Sequence, residues 1–232
     1  MIRVCFLSIS FPMNAEVIKR LRSEMIRLAE SDKHLEFWFF GCRDSFSEKA
    51  VQYILEIRDV LSTSKIDIVA VSDPFKNERW NVTEYDETKD GFPKGAVTRV
   101  EYAPRIEGRS EKHENRFVEH YKKVERWYME QCDVVLAFHY DNIPHSVNTE
   151  VKRLKKRSKP EVVSIYDPAF SRRIDTYIDG MDDRDGLVLQ RLRDGKIYKE
   201  ISEELGISVN RVQQIASRAT RNVMYFIRYE NR

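Results

Sequence analysis

The chain has 232 residues, 41% hydrophobic and 34% charged, with 40 basic side chains against 38 acidic for a net charge of +2. That length accommodates one sizeable core and a small second domain, and the near-neutral balance excludes a polyelectrolyte. No apolar run approaches the roughly 20 residues of a spanning helix, so no membrane partner is expected, and three scattered cysteines, Cys5, Cys42 and Cys132, exclude a disulfide framework and point to a reducing cytoplasm. The opening Met-Ile-Arg-Val-Cys-Phe-Leu is apolar, but Phe11-Pro12 and a charged stretch from Glu16 follow too soon for an export signal. In chain order, Ile2 to Ile9 reads as a buried strand. Asn14 to Glu30 reads as a helix with Val17, Leu21, Met25 and Leu28 on one face, and Leu35 to Phe40 as a strand. A helix from Ser47 to Leu61 is opened by Ser45 and Glu48 at capping-box spacing. Ile66 to Val71 is a third strand, followed by a loop with Pro74, Phe75 and Trp80 and a strand over Ala96 to Tyr102. Lys112 to Gln131 is a long helix, Asp133 to Phe138 a strand, Asn148 to Arg157 a helix and Val162 to Tyr166 a last strand.

Strands that alternate with helices of ten or more residues require crossover connections, hence a mostly parallel sheet with helices on both faces. The expected fold class is therefore α/β, a Rossmann-like domain over residues 1–167, whose ligand crevice lies at the carboxyl ends of the strands. The residues expected to line it are Ser8, Gly41, Arg43, Ser45, Pro74, Phe75, Asp141, Ser146, Asn148 and Thr149. Residues 168–181, with Pro168, two arginines and Asp179-Gly180, lack a clean period and read as a linker.

From Leu187 the apolar spacing becomes tightly helical, and residues 182–232 read as a small all-α domain. Leu187, Val188 and Leu192 are followed by Ile197, Ile201 and Leu205, then by Ile207, Val212, Ile215, Ala216 and Ala219, with Gly195 and Gly206 between the segments. Gly206 is placed to take positive φ after a helix and Ser208 to cap the next. The result is a helix-turn-helix. Its second helix presents Val209, Asn210, Gln213, Gln214, Ser217 and Arg218 opposite Val212 and Ile215. Asn and Gln can bond adenine bidentately and Val209 can touch a thymine methyl, each good pair discriminating by about 1–3 kcal/mol. Arg211, Arg218 and Arg221 are suited to phosphates. Beyond Ile207 there are five arginines and one acid, Glu230, whereas the preceding helix carries Glu200, Glu203 and Glu204. Double-stranded DNA is the expected partner, through Ser208, Val209, Asn210, Arg211, Gln213, Gln214 and Arg218.

Leu187 to Val223 resembles region 4 of the primary sigma factors over about forty residues, on Leu189, Leu192-Arg193, Gly195, Glu200-Ile201, Leu205-Gly206-Ile207-Ser208, Arg211-Val212, Gln214-Ile215 and Ala219. The resemblance implies phosphate roles for Ser208 and Arg211 and base-edge roles for Val209, Asn210, Gln213 and Gln214. Val209 and Gln213 stand where that family commonly has basic residues, so its target sequence does not carry over. Nothing upstream resembles the family's core-binding or promoter-melting regions.

The larger domain resembles the SLOG superfamily, Rossmann-like proteins related to the cytokinin-activating LOG enzymes and the DNA-processing protein of natural transformation. The resemblance rests on Glu125-Arg126-Trp127-Tyr128-Met129 through Asp133 to Phe138, and on Phe40-Gly41, Ala50, Ile54, Ile66 to Val71 and Asp73-Pro74-Phe75 to Trp80. It implies a nucleotide or nucleotide-derived ligand, with a phosphate at a helix N-terminus. Here Pro144-His145-Ser146-Val147-Asn148-Thr149 stands where that family has a glycine-rich turn, every glycine is replaced, and Lys152 falls at the catalytic glutamate's position. Binding is expected to survive and glycosidic hydrolysis is not. No catalytic residue is assigned. His139, His145 and Cys132 do not match zinc spacing, and no metal is expected. The basic run Lys152 to Lys159 reads as a solvated helix face or a second nucleic-acid contact.

These features add up to a DNA-binding transcriptional regulator whose Rossmann-like domain senses a nucleotide-like small molecule, with a homodimer expected by analogy to other helix-turn-helix regulators. Two alternatives stand beside it. One is a nucleotide-processing enzyme tethered to DNA, with Asp44, Asp73, Asp141 and Glu150 as candidate groups. The other is a mobile-element DNA-handling protein without a ligand.

Overall fold

A computed structural model describes residues 1–9, 11–31, 34–60, 65–73, 85–106, 113–181 and 183–230. Six strands, β1 (Ile2–Ser8), β2 (Leu35–Phe39), β3 (Ile66–Ser72), β4 (Arg99–Tyr102), β5 (Val134–Phe138) and β6 (Glu161–Ile165), form one sheet in the order β4-β3-β2-β1-β5-β6. Every described pairing is parallel. In β2 and β5 all five residues are buried, as strands covered on both faces must be. Val4 lies beside Phe37 on one side and Val134 on the other. The strand order therefore reverses between β1 and β5, which puts a crevice at the carboxyl end of β1.

The connecting helices are α1 (Ala15–Ala29), α2 (Ser45–Val60), α3 (His113–Glu130) and α4 (Ser146–Lys155), with a short 3-10 turn at Glu87–Asp90. Successive residues of β1 show that the helices cover opposite faces. Phe6 stacks on Phe39 at 4.5 Å and meets Phe46 of α2, while Cys5 lies against Tyr128 and Cys132, at the other side, where α3 ends. In α1 the predicted stripe of Val17, Leu21, Met25 and Leu28 is buried, and Asn14 caps the helix by accepting from the Val17 amide at 3.0 Å. The strand expected from Ala96 starts only at Arg99, because the Val97 amide donates instead to the Glu87 carboxylate at 3.1 Å.

The segment expected as a linker contains helix α5 (Pro168–Asp179), which buries Phe170, Ile174 and Ile178. Asp167 caps it by accepting from the Ala169 amide at 2.9 Å, and its other oxygen accepts from the Asn14 side chain at 2.8 Å. Three more helices follow, α6 (Arg184–Arg193), α7 (Tyr198–Leu205) and α8 (Val209–Glu230). Val188, Ile201, Val212, Ile215 and Ala216 form a cluster of their own between these helices. The second half of α8 instead joins the main core through Ala219, Val223 and Ile227, and Phe226 stacks on Tyr177 of α5 at 4.2 Å, nearly parallel. One 22-residue helix thus belongs to both cores.

Candidate functional site

The residues expected in one crevice are divided between two. A cavity of about 170 Å³ opens at the carboxyl edge of β1 and β2, lined by Ser8, Gly41, Asp44, Ser47, Tyr121 and Glu125 among others. Gly41 turns the chain there with φ of +83°. Asp44 accepts from the amides of Phe46 (3.1 Å) and Ser47 (3.0 Å) and from the hydroxyls of Ser47 (2.6 Å) and Ser8 (2.9 Å). Asp44 therefore caps α2, in place of the capping box expected from Ser45 and Glu48. The α2 N-terminus, a natural seat for a phosphate, is occupied by the protein's own carboxylate.

Glu125 enters the same cavity from α3. Burial, and then the nearby charge of Glu150, push its carboxyl above the ordinary range. Burial works the same way on Glu150, but hydrogen bonds from Arg153 (2.6 Å) and Arg126 (2.8 and 3.0 Å) outweigh it, and that carboxyl is held below its ordinary value. An acid-lined crevice of this kind repels phosphate and suits a hydroxyl- or amine-bearing group. Arg43 does not line it: its guanidinium donates to the Lys89 carbonyl and lies 3.8 Å from Asp90. Ser45 is exposed at the start of α2, and Pro74 and Phe75 lie outside the described residues. Cys42, beside this turn, is pushed up to about 12 by burial and by Asp44, so its thiol is a poor nucleophile.

The second cavity, about 340 Å³, is lined by Asp141, Ser146, Asn148 and Thr149, as expected, and by Lys152; from the C-terminal helices come Leu192, Arg193 and Tyr198. His145 caps α4, its Nδ1 accepting from the Val147 amide at 3.2 Å, and burial lowers its pKa. Asn148 is held by donating to the carbonyls of Tyr140 (2.7 Å) and Ile143. Arg193 is fixed from the other side by Asp175 (3.1 Å) and Asp179 (2.6 Å) of α5. Lys152, the first turn of α4 and Arg193, whose charge is shared with Asp175 and Asp179, face it beside Asp141, so this cavity is better suited to an anion than the first, which is lined by Asp44 and Glu125 without a basic side chain. Arg193 and Tyr198 were not among the expected ligand residues, since they follow the crevice loop by more than forty positions and only the tertiary fold brings them to it.

Another feature absent from the expectations is buried. His120 of α3 has Nδ1 2.6 Å from the Ile106 carbonyl and Nε2 2.7 Å from Asp73, at the end of β3. A carbonyl only accepts, so Nδ1 carries a hydrogen and donates it there, while Nε2 faces the Asp73 carboxylate. At the opposite edge of the sheet His34, Glu36 and Asp67 bring metal-ligating atoms within 4.8 Å of one another. Their carboxylates are already engaged, Glu36 by Arg99 at 2.9 Å and Arg3 at 3.3 Å, Asp67 by His34 at 2.6 Å.

The residues expected to meet DNA lie on one exposed face. Gly206 takes φ of +62° between α7 and α8, and the Ser208 hydroxyl accepts from the Arg211 amide at 3.2 Å, capping α8. Val209, Asn210, Arg211, Gln213, Gln214 and Arg218 are all exposed, with Val212 and Ile215 buried behind them. The Arg211 guanidinium donates to the Gln214 side chain at 3.1 Å. Arg218 differs, because both its Nε and a terminal nitrogen bind Asp185. Among the described residues no helix is long and apolar enough to cross a membrane. Comparison with known proteins finds no matching family model and no matching curated sequence.

Proposed function

We propose that the protein is a DNA-binding regulator in which α7 and α8 form a helix-turn-helix that reads duplex DNA, while the α/β domain senses a nucleotide-like small molecule. The observation that carries this reading is the first half of α8, where Asn210, Arg211, Gln213 and Gln214 stand exposed on a helix whose only acid is Glu230. A helix of that charge and side-chain type is suited to the major groove, where Asn and Gln match the adenine edge and Arg neutralises phosphate. The αL glycine before it and the serine cap fix the angle at which it leaves α7. Support for the sensing half comes from the second cavity, whose walls belong to α4 on one side and to α6 and α7 on the other. A ligand bound there touches both parts of the molecule, as coupling between a ligand and DNA affinity requires.

A mobility-shift assay of the full chain against a genomic fragment library, with and without a panel of nucleotides, tests the proposal. A subset of fragments should be retained, Asn210→Ala with Gln214→Ala should lose the selectivity, and a nucleotide should change retention. Binding to no fragment at low salt would reject it.

A further inference from the structure

The face of α8 that carries Asn210 and Gln214 does not end where the small three-helix cluster ends. At about 100° per residue, Gln214, Arg221, Tyr225 and Arg228 fall within an arc of about 60°, and all are exposed, Tyr225 to 57%. The opposite side of the same turns, Val223 and Ile227, is buried in the main core, and Phe226 beside them stacks on Tyr177. The second half of the helix is therefore pinned from behind, with an arginine-tyrosine ridge facing outward. The whole helix is about 33 Å long at 1.5 Å per residue, while the major groove is only about 12 Å wide. Because the groove winds around the duplex while the helix is straight, a helix of this length whose first turns reach base edges runs out of the groove toward its other end and passes over the sugar-phosphate backbone.

The geometry points to a second contact surface on α8, Arg221, Tyr225 and Arg228, that clamps the backbone of duplex DNA beside the site read by the first turns. It rests on the reading of α8 as the DNA-contacting helix. The occupant is assigned by charge complementarity: two arginines on the ridge, no carboxylate before Glu230, and a tyrosine hydroxyl of the kind that bonds phosphate oxygens. Its contacts carry no sequence information. They add affinity that is equal for all duplexes and sensitive to salt.

The test measures binding of the full chain to a 30-base-pair duplex of arbitrary sequence, by fluorescence anisotropy, from about 50 to 200 mM salt. Each phosphate neutralised contributes about 0.9 to the slope of log affinity against log salt, so Arg221→Ala with Arg228→Ala should lower that slope by about 1.8 and weaken arbitrary and selected duplexes by the same factor. Lys19→Ala with Lys94→Ala removes the same charge from exposed positions elsewhere and should leave the slope unchanged. Thermal unfolding of each variant checks that the fold is kept. A wild-type slope retained by the Arg221/Arg228 variant overturns the clamp while leaving the groove reading intact. A fall equalled by the lysine control also overturns it, since net charge alone would then be responsible. Failure of the wild type to bind any duplex at the lowest salt overturns both readings.

Discussion

Asp185, with its side chain 4% exposed, holds Arg218 by two hydrogen bonds that tie the first turn of α6 to the middle of α8. The sequence suggested a phosphate role for Arg218, but the bidentate grip uses the guanidinium edge that such a role would need, and it makes this arginine a structural tie between helices. The two roles separate experimentally. Arg218→Ala should lower the unfolding temperature by a few degrees and leave the salt slope of duplex binding unchanged. Asp185→Asn should have a similar thermal effect, and the two should be strongly non-additive. A slope reduced by about 0.9 with unaltered unfolding would instead make Arg218 a phosphate contact.

Two glycines with positive φ should respond differently to alanine. Gly206, at +62°, has nothing within 4 Å of an added Cβ, so Gly206→Ala carries only the left-handed backbone penalty of about 1–2 kcal/mol, and Gly206→Asn less. Gly91, at +91°, adds a steric term, because a Cβ there overlaps the Cys42 carbonyl oxygen. Gly91→Ala should therefore be the more destabilising in urea melts; equal losses would mean that the turn at Gly91 moves freely away from Cys42.

The order of helices and strands could be read from the sequence because it depends on local period. The runs Leu35 to Phe39 and Val134 to Phe138 are buried throughout and apolar at every position but Glu36, and α1 carries its buried residues at helical spacing. Helix α5 escaped that reading although its signals were present: Asp167-Pro168 is a cap followed by proline in the first turn, and Phe170, Ile174 and Ile178 recur every four residues. The two arginines between them and the Asp179-Gly180 end obscured the period. What local pattern could not supply was the partner of each polar residue. Asp44 looked like a candidate for chemistry and is a helix cap shared with Ser8, 36 residues away. Arg193 fell within a family-like motif and lies at a cavity more than forty residues upstream. Sites assembled across the sheet edge depend on crossovers, and spacing along the chain does not encode those distances.

The acid-lined crevice makes a prediction about pH. Burial and the charge of Glu150 hold the Glu125 carboxyl above its ordinary value, so the folded state binds that proton more tightly than the unfolded chain. Its contribution to stability is complete below the unfolded value of about 4.3 and is lost as pH rises through the higher folded value. Glu125→Gln should accordingly be more stable than wild type at neutral pH, with the difference closing near about pH 4. Glu150 has the opposite sign. Its carboxyl is held low by Arg153 and Arg126 against burial, so its contribution is present at neutral pH and disappears as pH falls through the folded value. Thermal melts across this range check both, and a Glu125→Gln protein less stable than wild type at neutral pH would show that this carboxyl is a needed anion.

The cavity between α4 and the C-terminal helices is where a sensed molecule should act. Lys152 is exposed at its rim, and Arg193 is prevented from turning away by two aspartates of α5. An anionic nucleotide bound between them should raise the unfolding temperature, since a ligand at 100 times its Kd stabilises by about 2.7 kcal/mol. Lys152→Ala should abolish that rise and leave the ligand-free protein unchanged, because this exposed lysine contributes little to folding. Glu125→Gln, in the other crevice, should leave the ligand-induced rise intact. The two variants together locate the ligand: a rise that persists in Lys152→Ala and is lost in Glu125→Gln would place it at the end of β1, away from α6 and α7, and would remove the physical route by which binding reaches α8.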